Sequence, residues 1–151
     1  MGKTQRTKGK RVELEIVHIF KRFDFDAQRI PLSGATQFKK GDVLVRNDKH
    51  EFTFEVKARK NVTRRLLSVI EAIEAGNVVT MIGKNGEYLA DSLENFAYQL
   101  QVYDEFPHGD YYLKVLPCPS EIERWYNFDG LIIKLNHHQP IIVIKQDSVN
   151  L

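Results

Sequence analysis

The sequence predicts an α/β fold, because segments with the 3.6-residue apolar period of amphipathic helices are interleaved with short alternating runs and hairpin turn signals. In residues 10–23, Val12, Ile16, Ile19/Phe20 and Phe23 recur at helical spacing with charges on the other face, so the first element is an amphipathic helix. Residues 27–31 are extended in character, and residues 32–41 (LSGATQFKKG) have the glycines and small polar residues of a loop. Residues 42–46 and 51–58 alternate around Asn47-Asp48-Lys49-His50 and read as a β-hairpin. Residues 62–75 carry Leu66, Val69/Ile70 and Ile73 on one stripe and stop at Gly76, as a helix with a glycine cap does. Residues 78–83 and 87–90 flank Asn85-Gly86, a second hairpin. Ser92 is placed to cap a helix striped by Leu93, Phe96/Ala97, Leu100 and Tyr103. Beyond Phe106-Pro107-His108-Gly109 follow an extended segment 111–116, a short helix 120–126, and strands 131–135 and 141–145. No repeat or low-complexity linker divides the chain, so residues 1–151 form one domain, with a core of about 8–103 and a C-terminal extension, 104–151, packed on it.

Composition narrows the function. At 151 residues, 42% hydrophobic and 28% charged, the chain suffices for one core and is not intrinsically disordered. It has no apolar run of about 18 residues, so no membrane partner and an intracellular location are expected, whether cytoplasmic, nucleoid-associated or in a viral host's cytoplasm. Cys118 alone forms no internal disulfide or cysteine-rich zinc site. Without a phosphate-binding glycine loop or a Ser-His-Asp order, a nucleotide cofactor and acyl transfer gain no support. The net charge of +2 conceals two blocks free of acids: Lys3, Arg6, Lys8, Lys10 and Arg11, then Lys57, Arg59, Lys60, Arg64 and Arg65. Such blocks are either solvated faces or surfaces that hold phosphates.

The first hairpin carries the chemistry. A symmetric turn centred between Asp48 and Lys49 pairs residues whose numbers sum to 97. Arg46 then faces Glu51, Val45 faces Phe52, Val43 faces Phe54 and Asp42 faces Glu55. Alternation sends Phe52, Phe54 and Val56 into the core and sets Glu51, Thr53, Glu55 and Lys57 on the other face with Asp42. Two opposed carboxylates suit a hard divalent cation such as Mg²⁺ better than Zn²⁺, and a lysine two residues on can stabilise charge on an attacked phosphate. The same residues also read as the solvated side of a half-exposed strand. Glu13 lies beside the apolar stripe of the first helix, where an inward carboxylate needs a partner, and a shared metal would be one. His137-His138 reads as turn residues, and Trp125, Tyr126 and Phe128, which could stack bases, read at their helix-end spacing as an aromatic group docking a short helix on the core.

Four blocks in order, Lys8-Gly9-Lys10-Arg11-Val12-Glu13, Arg29-Ile30-Pro31-Leu32-Ser33-Gly34, Gly41-Asp42 and Glu55-Val56-Lys57-Ala58-Arg59-Lys60, resemble the archaeal-type Holliday junction resolvases of the PD-(D/E)XK nuclease superfamily. The resemblance implies a mixed central sheet flanked by helices with a restriction-endonuclease-like core. It also implies a homodimer and paired nicking of four-way or branched DNA with Mg²⁺, or Mn²⁺ as its substitute. By position it makes Glu13, Ser33, Asp42, Glu55 and Lys57 catalytic, and gives Asp42, Glu55, the Val56 carbonyl and Glu13 to the metal. It places Lys8, Lys10, Arg11, Arg29, Ser33, Lys39, Lys40, Arg59, Lys60, Arg64 and Arg65 on the DNA. Where the family commonly has an arginine after the helix glutamate this chain has Leu14, so either a neighbouring base such as Arg11 substitutes for it or junction handling differs. Another nuclease of the superfamily, or a non-catalytic DNA-binding protein with a relic site, would retain much of the same pattern.

Overall fold

The computed structural model describes residues 2–31 and 41–146. Its elements are α1 (Gly2–Arg22), β1 (Asp26–Arg29), β2 (Val43–Arg46), β3 (Glu51–Arg59), α2 (Arg64–Glu74), β4 (Val78–Gly83), β5 (Gly86–Ser92), α3 (Leu93–Tyr103), β6 (Leu113–Pro117), α4 (Ser120–Trp125), β7 (Gly130–Leu135) and β8 (Ile141–Lys145). The strands form one eight-stranded sheet in the order β1-β2-β3-β7-β8-β5-β4-β6. It is mixed, because β3/β7 and β4/β6 are parallel while the other neighbours are antiparallel. The α/β fold with a mixed, helix-flanked sheet is therefore the one expected.

Local chemistry explains the boundaries. Asn47 Oδ1 accepts from the amides of Lys49 and His50, closing the first hairpin. Thr63 and Ser92 cap α2 and α3 by accepting from Leu66 N and Asn95 N. Gly76, at φ +101°, ends α2 in a conformation that costs glycine little. Helix α1 starts at Gly2 rather than near residue 10. Residues 2–9 have no apolar period to announce a helix, yet their lysines, arginine and glutamine have good helix propensity.

Two cores lie on opposite faces of the sheet. On one, α1 and α3 cover Phe52, Phe54, Ile132 and Ile142. There Phe54 stacks on Phe20 and Phe52 with centroids at 5.8 and 5.5 Å. On the other, α2 and Ile122 of α4 cover Val79, Met81, Leu131, Ile133 and Val143. Residues 104–146, expected as an extension packed on a core of 8–103, instead supply the inner strands β7 and β8. An apolar helix stripe or an apolar hairpin could also serve as a dimer surface, but here neither is left over for one. The stripe Leu66, Val69, Ile70, Ile73 and the run Ile141–Ile144 are all buried within the one chain. A run apolar on both faces belongs to an inner strand covered on both sides.

Asp91 is 5% exposed on β5, and its carboxylate accepts from Ser92 N at 2.7 Å and Asn95 Nδ2 at 2.6 Å. Burial pushes it up to about 6, and the two hydrogen bonds only partly offset that. Because the folded value is raised, ionising Asp91 opposes folding; the penalty is absent below about pH 4 and complete above about pH 6. Asp91→Asn should therefore gain on the wild type by up to about 3 kcal/mol between pH 4 and pH 7. Urea unfolding at both pH values checks this, and a pH-independent difference would refute it.

Candidate active site

The site forms where the first hairpin stops being a hairpin. The observed β2–β3 register is Val43↔Phe54, Leu44↔Thr53, Val45↔Phe52 and Arg46↔Glu51, the pairing read from the sequence. Strand β2 begins at Val43, whereas β3 runs on to Arg59, so one edge of β3 passes out from under its neighbour. Asp42 takes over there. Its amide donates to the Phe54 carbonyl at 3.0 Å, and its Oδ2 accepts from Val56 N at 2.8 Å, in place of the next ladder bond. A strand residue's N–H and C=O point to the same side, so the Val56 carbonyl faces this edge too.

Gly41 makes the turn into Asp42 possible. It has φ +108°, and an added Cβ would collide with Thr53 Cγ2 and stand 3.3 Å from the Phe128 ring.

Glu55 lies against Asp42. Desolvation first, then the hydrogen bond to Asp42 and the repulsion between the two groups, raise its carboxyl to about 7, against the opposing pull of Lys57 and an Asn127 hydrogen bond. A hydrogen bond between two carboxyl groups needs a proton between them, so the pair holds less negative charge alone than it could beside a cation. Lys57 Nζ is 3.9 Å from Glu55 Oε2. A cavity of about 550 Å³ spans this edge, lined on the strand side by Asp42, Glu55, Val56 and Lys57 and on the α1 side by Lys8, Gly9 and Glu13.

Glu13 thus reaches the site, but with its own partner. Arg29 Nε donates to Glu13 Oε1 at 2.9 Å, and the two side chains are 32% and 16% exposed. Desolvation raises the Glu13 carboxyl, Arg29 opposes this, and Asp42 adds to it. Among the described residues no three His, Cys, Asp or Glu side chains gather into a metal cluster. The oxygen donors that fit a hard cation are Asp42, Glu55 and the Val56 carbonyl, with Glu13 braced by Arg29 beside them. Arg29→Met should leave Glu13 uncompensated and cost about 1–3 kcal/mol of stability, most of it recovered in Arg29→Met/Glu13→Gln. Denaturant midpoints of the three variants test this; an unrecovered loss would mean that Arg29 acts through other contacts.

The basic residues divide. Lys8, Arg59 and Lys60 line the cavity, and Arg59 also lies over the Trp125 ring at 4.7 Å. Lys10, Arg64 and Arg65 are exposed without lining it. Arg11 lines a different concavity, the one that Leu14 and His18 also line. Ser33, Lys39 and Lys40 lie outside the described residues. His137 is in a turn at φ +68°, as expected, and His138 Nδ1 is 2.9 Å from Glu74 Oε2.

Two residues at the site were not anticipated from the sequence. Asn127 hydrogen-bonds Glu55. Its Oδ1 accepts from Phe128 N at 2.9 Å, which leaves the amide nitrogen as the group that donates to the carboxylate. Phe128, read as core, is 39% exposed beside Gly41, whereas Trp125 and Tyr126 do pack against the second core. Asn127-Phe128-Asp129-Gly130 has the composition of a turn, but only the β3–β7 pairing brings it to the site.

A mixed eight-stranded sheet flanked by helices, with acids and a lysine at one strand edge, has the organisation of a nuclease-like core. Residues 4–75, the segment that carries Glu13, Asp42, Glu55 and Lys57, match the family model of the archaeal Holliday junction resolvase (hjc). No curated protein matches the chain. Among the described residues no helix is long and apolar enough to cross a membrane.

Proposed function

We propose that the protein is a Mg²⁺-dependent endonuclease of branched DNA that resolves four-way junctions by paired nicks. The observation that carries this reading is the Asp42–Glu55 carboxylate pair beside Lys57, inside the segment that matches the resolvase family. Asp42, Glu55 and the Val56 carbonyl offer the ligands for Mg²⁺, or Mn²⁺ in its place, which when bound supplies Lewis-acid catalysis of phosphodiester hydrolysis. Lys57 offsets the charge that grows on the phosphoryl oxygens during in-line attack. Lys8, Arg59 and Lys60 hold flanking phosphates, and the Glu13–Arg29 pair fixes the helix side of the cleft.

Paired incision requires a second copy, and we propose a two-fold homodimer. The β6 edge, where Ile82, Leu113 and Val115 are exposed, is a poor candidate for its interface. Strand β6 is five intervals from β3, so pairing two such edges would hold the sites roughly 50 Å apart.

Incubation with Mg²⁺ and labelled linear duplex, single strand and four-way junction tests the function. Symmetric cuts in the junction alone are expected. Equal cutting of linear duplex would indicate another nuclease of the superfamily, and junction binding with no metal-dependent cutting would indicate a relic site.

A further inference from the structure

We propose that the exposed ring of Phe128 is a base-stacking subsite beside the candidate carboxylates, taking an unpaired or branch-point nucleobase of the DNA. The inference rests on the nuclease reading above and names the feature of the substrate that the site would select. Phe128 has φ +54°, a left-handed conformation that a bulky L-residue rarely adopts. The turn is held in it from both sides. Asp129 N donates to Thr53 O at 3.0 Å, Thr53 N donates to Asp129 Oδ2 at 2.8 Å, and Gly130 N donates to Asn127 O at 3.2 Å.

Burial of the ring does not account for this strained backbone, since Phe128 remains 39% exposed while its neighbours Trp125 and Tyr126 pack against the core. Its position is specific. The ring lies against Gly41, next in sequence to Asp42, and close to Thr53, which shares a strand face with Glu55 two residues on, roughly 7 Å away. Asn127 ties the same turn to Glu55. The aromatic ring thus sits beside Gly41, the neighbour of Asp42, while Asp42, Glu55 and Lys57 line the adjoining cavity.

An aromatic ring accepts any base, because every base has a π-face. A base inside a continuous duplex has both faces covered by its neighbours, so the ring gains only where stacking is interrupted, as at a branch point or in a single strand. Phe128 would therefore favour branched over linear DNA without reading sequence.

The test uses the full chain without Mg²⁺ and four-way junctions carrying a fluorescent adenine analogue at successive positions through the branch point. Wild type should change the analogue's emission at one or two of these positions. Phe128→Asn should abolish that change and weaken junction binding on the order of 10-fold to 100-fold, with a much smaller effect on linear duplex. Asparagine tolerates the left-handed region, so this variant should melt at or above the wild-type temperature. Phe128→Leu, which keeps apolar volume but not the flat ring, should behave like Phe128→Asn, and Phe128→Trp should restore the signal. An unchanged signal and affinity in both the Asn and Leu variants overturns the inference, as does a wild type that leaves every analogue unperturbed. If wild type perturbs the analogue but cuts no DNA with Mg²⁺, the subsite stands and the nuclease reading fails.

Discussion

Asp42→Asn and Glu55→Gln should each lower DNA cleavage by about 10³-fold or more while leaving junction binding at or above wild type. Each substitution removes one negative charge from the oxygen ligands proposed for Mg²⁺, and metal-assisted stabilisation of the attacked phosphate is worth several kcal/mol. Neither should disturb the fold. An asparagine at 42 retains an oxygen to accept from Val56 N, where Oδ2 now accepts at 2.8 Å. A glutamine at 55 can donate to Asp42 where a shared proton is now needed, which removes the cost of desolvating a second carboxylate. On the proposed reading the flanking phosphates are held by Lys8, Arg59 and Lys60, which line the cavity, and a less negative cleft repels the DNA backbone less. Nicking of a labelled junction and gel mobility shifts with the same DNA separate the two effects. Near wild-type cutting by either variant would remove these carboxylates from the mechanism.

The largest effect on stability should come from Phe54→Ala. Phe54 is fully buried on β3, stacked on Phe20 and Phe52 and edge-on to Phe96 at 6.3 Å, so truncation opens a cavity between α1, α3 and the sheet. Such losses run to about 3–5 kcal/mol, equivalent to a fall in Tm of about 6–20 °C for a chain of this size. The site should suffer with it, since the Phe54 carbonyl anchors the Asp42 amide and Glu55 follows directly. A loss below about 1 kcal/mol in denaturant unfolding would show that the phenylalanine cluster is not the mechanical base of β3.

The local features of the fold were legible because each has its own chemical signal. The hairpin register followed from one charge pair and two apolar pairs that a slip of one residue would break, and the observed pairs agree. The caps at Thr63 and Ser92 and the stop at Gly76 are similarly local. Sheet order was less accessible. That β7, about 70 residues beyond β3, would lie parallel to it is a property of packing, and the apolar Ile141–Ile144 run was equally compatible with an interface between chains. Of the candidate site, Asp42, Glu55, Lys57 and Glu13 could be gathered from spacing and resemblance, and they line one cavity. The ion pair of Glu13 with Arg29 was not legible, because the two residues are 16 apart in sequence and lie in different elements. Asn127 left no signal and Phe128 only that of an aromatic cluster, since nothing in a turn's composition says which distant strand it will face.

The long return of the chain to β3 also affects when the site can come into being. Strand β2 supports β3 only as far as Phe54, and the half that bears Glu55, Val56 and Lys57 is flanked instead by Leu131, Ile132 and Ile133 of β7. During synthesis at 5–20 residues per second, those partners emerge roughly 4–14 s after β3 itself. Through that interval a ribosome-bound chain has already made the carboxylates and the lysine but has no β7 to hold them in line. A nascent polypeptide would carry the chemistry of a nuclease with none of its geometry, and so would any truncation that stops short of residue 130.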